Sequence, residues 1–282
     1  MHDRPPTPSC YRHPDRPTGL SCTRCGRPAC PQCLHAAPVG SHCDECVRAE
    51  AKARPAPARR PTPYVTYALI ALNVLVFAIT VAQSHSLADN VGSPLFRDWV
   101  MIPDGVAAGQ WIRVIGSGFL HYGPLHLAVN MFALYILGRD TELALGRPRY
   151  LAVYLTSLLG GSAAVMWLAR DAATAGASGA IYGLFGAVTI ILLRLKQSPV
   201  QILVLIAINL FISLTLPGIS LWGHLGGLAT GTLATAGILF LPERAGARTP
   251  ADAARIGWFA VAGVALAAVV LIGAAAASMQ SF

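Results

Sequence analysis

A serine stands among four glycines in Gly176-Ala177-Ser178-Gly179-Ala180-Ile181-Tyr182-Gly183-Leu184-Phe185-Gly186-Ala187, and the uncharged run it belongs to lasts to Leu193. Two histidines and an asparagine sit in similar apolar company: His126 with Asn130 four residues on, and His224 within Trp222-Gly223-His224-Leu225-Gly226-Gly227. A hydroxyl is a poor nucleophile at its free pKa and becomes a useful one beside a base, for which neutral imidazole is suited. Amide and imidazole N–H groups can stabilise the negative charge that develops when such a nucleophile attacks. A serine in a seam of small residues is ordinarily a packing group. A lone histidine in an apolar helix is ordinarily a satisfied structural one. Four such groups at one level would be functional candidates, because polar side chains are costly in lipid.

A second set of reactive residues is separate in sequence. All seven cysteines fall between Cys10 and Cys46, spaced Cys10-x-x-His13, Cys22-x-x-Cys25, Cys30-x-x-Cys33 and Cys43-x-x-Cys46. Two ligands separated by two residues present both to one tetrahedral ion, and two such knuckles complete a closed zinc site. Four knuckles supply ligands for two Zn2+ ions. An odd count argues against a disulfide framework, and thiolate zinc sites suit a reducing compartment. So short a module would draw much of its folding energy from metal. With four protein ligands per ion no position stays open for water, so the metal is structural and none is expected in catalysis. The spacing resembles a cross-braced, B-box-type zinc finger. That resemblance implies Cys10, His13, Cys30 and Cys33 on one ion and Cys22, Cys25, Cys43 and Cys46 on the other, with His35 or His42 as alternatives to a cysteine.

The elements that must position Ser178 and its companions are membrane helices. Of 282 residues 54% are hydrophobic and 12% charged, against about 25% charged in a soluble domain. The net charge of +8 is therefore read by position, and no nucleic-acid partner is expected. Residues 1–46 form the zinc module and 47–63 a basic Ala/Pro linker, extended by its prolines. No apolar h-region precedes residue 64, so no signal peptide is expected. Uncharged runs follow at Tyr64–Val81, Val114–Gly138, Tyr150–Ala169, Ala172–Leu193 and Gln197–Pro242, and then from Ile256 onward. The 46-residue run is divided at Leu216-Pro217-Gly218. This predicts an all-α polytopic membrane protein with six spans over 64–242 and a seventh within 243–282. The connection from about Gln83 to Tyr122 would lie partly in the outer leaflet, with Trp99 and Trp111 at the interface and with His121 and Arg113 bracing it. Asp140 and Glu142 would likewise be structural.

Charge orients these spans. With the zinc module cytoplasmic, 18 of the 21 Lys/Arg fall on the cytoplasmic side, leaving Arg97, Arg113 and Arg170 outside, as the positive-inside rule requires. This places the C-terminus outside a plasma (inner) membrane. The Ala, Arg and Gly content suggests a GC-rich bacterial genome. Spans 2, 4 and 6 then run inward and carry His126 with Asn130, Ser178 with Tyr182, and His224 near their outer ends. Glycines at 176, 179, 183 and 186 on span 4, and at 223, 227 and 231 on span 6, would let the two helices touch. Ser178 and His224 would then face each other just below the outer surface.

These residues carry a resemblance. Gly109-Gln110-Trp111-Ile112-Arg113, His126-x-x-x-Asn130, Gly138-x-x-x-Glu142, Gly176-Ala177-Ser178-Gly179 and Gly223-His224-Leu225-Gly226-Gly227 occur in order. From about Pro63 to Pro242 the chain resembles the rhomboid intramembrane serine proteases. The resemblance implies a six-helix core, here with an added seventh helix. It implies a Ser178–His224 dyad, with His126, Asn130 and the Ser178 amide lining an oxyanion hole, Tyr182 packed on the histidine, and Gly176 and Gly179 supporting the serine. It also implies single-span membrane proteins as substrates, cut near their external ends in the bilayer. The zinc module and seventh helix lie outside that core, which leaves a protein partner for the zinc module open. Two other classes make different demands on the sequence. An ion-coupled transporter would need acidic residues within the spans and repeat symmetry, and neither is found. A non-catalytic, rhomboid-like client-binding protein would be expected to lose Ser178 or His224.

Overall fold

The computed structural model describes residues 6–53, 62–216 and 218–280. The chain divides into two compact units, Met1–Arg60 and Pro61–Phe282.

In the first unit a short hairpin pairs β1 (Leu34–Ala36) with β2 (Ser41–Cys43), antiparallel, with His35 opposite His42. Helix α1 (Asp44–Ala53) follows directly. Asp44 and Glu45 at its start suit the positive end of the helix dipole. The expected extended linker from residue 47 is therefore helical to Ala53, since Ala, Glu, Lys and Arg are good helix formers. Residues 54–61 of that linker lie outside the described residues.

In the second unit α2 (Tyr64–Ser84) buries Thr66, Leu69, Asn73, Val76, Phe77 and Thr80, a three-and-four spacing that makes one face. Three short helices, α3 (Pro94–Trp99), α4 (Pro103–Ala107) and α5 (Ile112–Gly116), lead through a 3₁₀ turn, Ser117–Phe119, to α6 (Gly123–Ala133). The chain continues through a π-helical segment, Leu134–Gly138, into α7 (Arg139–Leu145). Then come α8 (Arg147–Leu168), α9 (Ser178–Arg194), α10 (Val200–Thr215), α11 (Leu221–Leu239), α12 (Leu241–Arg244) and α13 (Pro250–Gln280). By length and apolar character α2, α8 and α13 each suffice to cross a membrane, while α9 and α10 are shorter apolar helices.

Two span boundaries differ from the sequence expectation. The second span begins at Gly123 and not at Val114. Gly123 has φ +74° and Pro124 occupies the first turn, a backbone suited to starting a helix there. Apart from exposed Ile115, residues 114–120 are buried within the protein: Val114, Gly116, Ser117, Gly118, Phe119 and Leu120 are all covered. The fourth span begins at Ser178 and not at Ala172, because Thr174 is paired across an isolated bridge to Met101 and Gly176 has φ +134°. Of the turn between α10 and α11, Pro217 lies outside the described residues, and Gly218 has φ +82°.

The centre of this unit is the crossing of α8, α9 and α11. A Cβ at Gly227 would lie 1.9 Å from the Gly179 carbonyl oxygen, and one at Gly231 would lie 2.4 Å from the Gly183 Cα. Only hydrogen fits at either place, so α9 and α11 meet backbone to backbone. Glu142 on α7 is buried and accepts from the Val65 and Thr66 amides at 3.1 and 2.8 Å and from the Thr66 hydroxyl at 2.8 Å. It caps α2 where the first amides have no intrahelical partner. Helix α13 lies against α8, α11 and α4, with Trp167 Nε1 donating to the Leu271 carbonyl at 2.9 Å.

Candidate active site and metal clusters

Ser178 is the first residue of α9, and His224 lies one turn into α11. The glycine contact between these helices brings the Ser178 Oγ to 2.8 Å from the His224 Nε2. The Tyr182 ring, one turn below Ser178, stacks on the His224 imidazole with centroids 4.0 Å apart and planes 10° from parallel. On its other side the His224 Nδ1 lies 2.8 Å from the Ser213 Oγ, on α10. Ser213 in turn donates to the Asn209 carbonyl at 2.8 Å, and its Oγ stands 3.3 Å from the Tyr182 hydroxyl. Sequence reasoning passed over Ser213, which is one of four polar residues in α10 with Gln201, Asn209 and Thr215.

His126 enters from α6. The Tyr122 amide donates to its Nδ1 at 3.2 Å, so the neutral ring carries its proton on Nε2. A Cβ built at Gly176 would lie 3.0 Å from that Nε2 and 3.5 Å from the Ser178 Oγ. The missing side chain of Gly176 therefore leaves a point within hydrogen-bonding distance of an N–H donor and close to the nucleophile-type oxygen. Asn130, one turn below, is buried and donates Nδ2 to the His126 carbonyl at 2.9 Å, while its Oδ1 has no partner. The first N–H groups of α9 have no intrahelical acceptor and carry the positive end of its dipole. A cavity of about 40 Å³ reaches this point, lined by Ser117, Gly118, Ser162, Gly176, Ser178 and His224 among others. It has room for about three or four waters at about 10–15 Å³ each.

The approach is braced as the sequence suggested, and by one residue it did not reveal. Arg113 is buried and donates Nη1 to the Arg97 and Val100 carbonyls at 2.7 and 2.8 Å. His121 is buried with its ring edge-on to His126, centroids 5.1 Å apart. Asn90 is the unforeseen brace. Its Nδ2 donates to the Thr80 hydroxyl and the His121 carbonyl, and its Oδ1 accepts from the Gly123 amide at 3.1 Å. It fixes the start of α6 and so the height of His126.

The first unit holds two tetrads whose ligand atoms lie within 4.8 Å of one another: Cys10, His13, Cys30 and Cys33, and Cys22, Cys25, Cys43 and Cys46. All seven cysteines are free thiols. The His13 Nδ1 lies 3.8, 3.5 and 3.5 Å from the sulfurs of Cys10, Cys30 and Cys33, and the Cys25 and Cys43 sulfurs are 3.7 Å apart. Zinc bonds of about 2.3 Å to sulfur and about 2.0–2.1 Å to nitrogen give tetrahedral edges of roughly 3.8 Å (S–S) and roughly 3.6 Å (N–S). The tetrads therefore have the dimensions of zinc sites. Their electrostatics agree. Burial resists ionisation of Cys10 and Cys22, yet backbone amides hold both down at about 6. Burial and then neighbouring thiols push Cys33 up to about 11 and Cys46 to about 12. Three sulfurs with an imidazole in one tetrad, and four sulfurs in the other, ionise together only with a cation between them. His35 and His42 lie outside both tetrads, against Asp44 and Glu50 respectively.

Residues 108–240 match the family model described as Rhomboid domain. The chain is 34% identical over 185 residues to the rhomboid protease GluP of Bacillus subtilis, covering 62% of this chain and 35% of that one. It is 32% identical over 178 residues to the rhomboid-type protein YdcA of the same organism, covering 61% of this chain and 86% of that one. A rhomboid-type serine protease 2 of Emericella nidulans is 32% identical over 141 residues, covering 46% of this chain and 27% of that one. The alignments thus span about a third of GluP and most of YdcA.

Proposed function

Because the chain belongs to the rhomboid family, we propose that it is an intramembrane serine endopeptidase that cuts single-span membrane proteins near the extracytoplasmic end of their helices. The observation that carries this reading is the 2.8 Å contact between the Ser178 Oγ and the His224 Nε2, with the His126 ring on the other side of Gly176.

In the proposed reaction Ser178 attacks the scissile carbonyl carbon while its proton passes to the His224 Nε2. The carbonyl oxygen, now negative, takes hydrogen bonds from the His126 Nε2–H, the Asn130 amide and a backbone N–H at the start of α9. Collapse breaks the C–N bond, and His224 returns its proton to the leaving amine. Water from the polar cavity then attacks the acyl-enzyme, giving its proton to His224, which restores it to Ser178. No acidic residue occurs from 172 to 242, so the imidazole is oriented without a carboxylate.

Helix length supports the depth of the site. Helix α9 has 17 residues and ends at Arg194. At about 1.5 Å per residue it is roughly 26 Å long, short of a ~30 Å hydrocarbon core. With Arg194 at the cytoplasmic interface, Ser178 sits just below the opposite surface. A substrate helix hides its carbonyls in its own hydrogen bonds, so its cleaved segment must unwind, which helix-breaking residues ease. The charge asymmetry supports a plasma-membrane protein with its N-terminal unit in the cytoplasm. In that unit Cys10, His13, Cys30 and Cys33 would hold one Zn2+ and Cys22, Cys25, Cys43 and Cys46 a second, each supplying folding energy and no open coordination position. This unit is a candidate recruiter of a protein partner.

Labelling with a fluorophosphonate in detergent tests the nucleophile. The wild type is expected to label and Ser178→Ala to be silent. Equal labelling of both would remove Ser178 from the mechanism.

A further inference from the structure

The base of the proposed dyad has a third partner, and that partner comes from a different helix. Helix α10 is almost wholly lateral: of its described residues Ile206 and Ser213 are the buried ones. One of these two positions is given to a serine, and its hydroxyl lies 2.8 Å from the His224 Nδ1. A serine in an apolar helix normally satisfies itself by bonding back to the carbonyl four residues earlier, and Ser213 does so with Asn209 at 2.8 Å.

That back-bond has a consequence for the imidazole. With its one hydrogen committed to Asn209, the Ser213 oxygen has only lone pairs left to offer. The Tyr182 hydroxyl, 3.3 Å away, donates to one of them. The other faces the His224 Nδ1, which must then carry a hydrogen to complete the contact. A neutral imidazole protonated on Nδ1 has a bare Nε2, turned toward the Ser178 hydroxyl. The chain Asn209 carbonyl, Ser213 hydroxyl, His224 therefore selects the tautomer able to accept the nucleophile's proton. Elsewhere a carboxylate performs this selection.

We propose that Ser213 is a positioning residue that fixes the tautomer and rotamer of His224, which adds α10 to α6, α9 and α11 as a contributor to the site. The inference rests on the Ser178–His224 reading and deepens it. The groups facing the His224 ring are Ser178 and Tyr182 from α9, His126 from α6 and Ser213 from α10, with no carboxylate or ammonium among the described residues.

The test compares full-length wild type, Ser213→Ala, Ser213→Thr and Ser178→Ala in detergent on one transmembrane substrate, with melting temperatures and selective ¹⁵N-histidine spectra. Losing one neutral hydrogen bond is expected to lower kcat of Ser213→Ala by about 10-fold, with KM and melting temperature unchanged. The His224 signal, assigned by its loss in His224→Ala, is expected to change from a single Nδ1–H tautomer to a mixture. The Ser213→Thr variant keeps the hydroxyl and its back-bond, and is expected to recover activity to within about 3-fold of wild type. Wild-type kcat and an unchanged tautomer in Ser213→Ala, with Ser178→Ala inactive, would overturn the inference and leave the protease reading standing. So would a loss that merely tracks a lowered melting temperature, or a Ser213→Thr variant that melts normally and is as slow as Ser213→Ala. Activity persisting in Ser178→Ala would instead overturn the protease reading itself.

Discussion

At the scale of single residues the site depends on two features that hold atoms in one state. His126 is kept with its proton on Nε2 by the Tyr122 amide, and Gly176 keeps open the space between that proton and the Ser178 oxygen. Each supports an expectation. Replacing His126 by Ala removes one charge-stabilising donor and is expected to lower kcat by about 10²- to 10³-fold, with Ser178 still present and KM little changed. Steady-state cleavage measures this, and a drop below about 10-fold would take His126 out of the oxyanion hole. Replacing Gly176 by Ala inserts a methyl 2.9 Å from the His126 Cε1 at a φ of +134°, a conformation that L side chains rarely adopt. Fluorophosphonate labelling of that variant is expected to vanish while the protein remains monodisperse in detergent.

At the scale of elements the position of Ser178 against His224 is a property of the α9–α11 crossing, where glycine backbones touch. A Cβ at Gly227 would meet a carbonyl oxygen at 1.9 Å, and a backbone atom cannot swing aside as a side chain would. Gly227→Ala is therefore expected to cost at least the ~1–3 kcal/mol of an overpacked core and to separate the two side chains. Thermal unfolding in detergent with parallel labelling checks both. A second expectation concerns α2, whose first amides Glu142 caps from 76 residues away. Glu142→Ala leaves those amides without an acceptor, and each charge-assisted bond contributes about 1.5–3 kcal/mol. A lowered melting temperature with unchanged KM is the expected result. This crossing was legible in the sequence because glycine ridges on two apolar runs have few other uses. The starts of α6 and α9 were not, since most of residues 114–120 are buried in protein, and hydropathy does not distinguish that from burial in lipid. Ser213 was illegible for a related reason. A hydroxyl in a largely apolar helix reads as self-satisfied, and only tertiary structure shows the second group it meets.

At the scale of the whole molecule the chemistry divides cleanly between two units. Every residue assigned to peptide hydrolysis lies in Pro61–Phe282, and every assigned metal ligand lies in Met1–Arg60. The first unit has few other means of staying folded: its buried apolar cluster comprises Cys10, Ala29, Cys30 and Cys33 with Tyr11 and Leu34 against it, and three of its four buried members are themselves ligands. Folding and metal binding should therefore be one event there. The purified full-length protein is expected to contain two zinc ions per chain by elemental analysis, one for each tetrad, with thiols inert to an alkylating reagent. Adding a strong chelator should release both ions and expose seven reactive thiols, while the rate of Ser178 labelling stays as it was, because the ligands and the dyad belong to different compact units. A labelling rate that fell with zinc loss would mean that the first unit controls the active site. Intact disulfides with sub-stoichiometric metal would replace the zinc account altogether, because thiols tied to one another cannot close a tetrahedron around an ion.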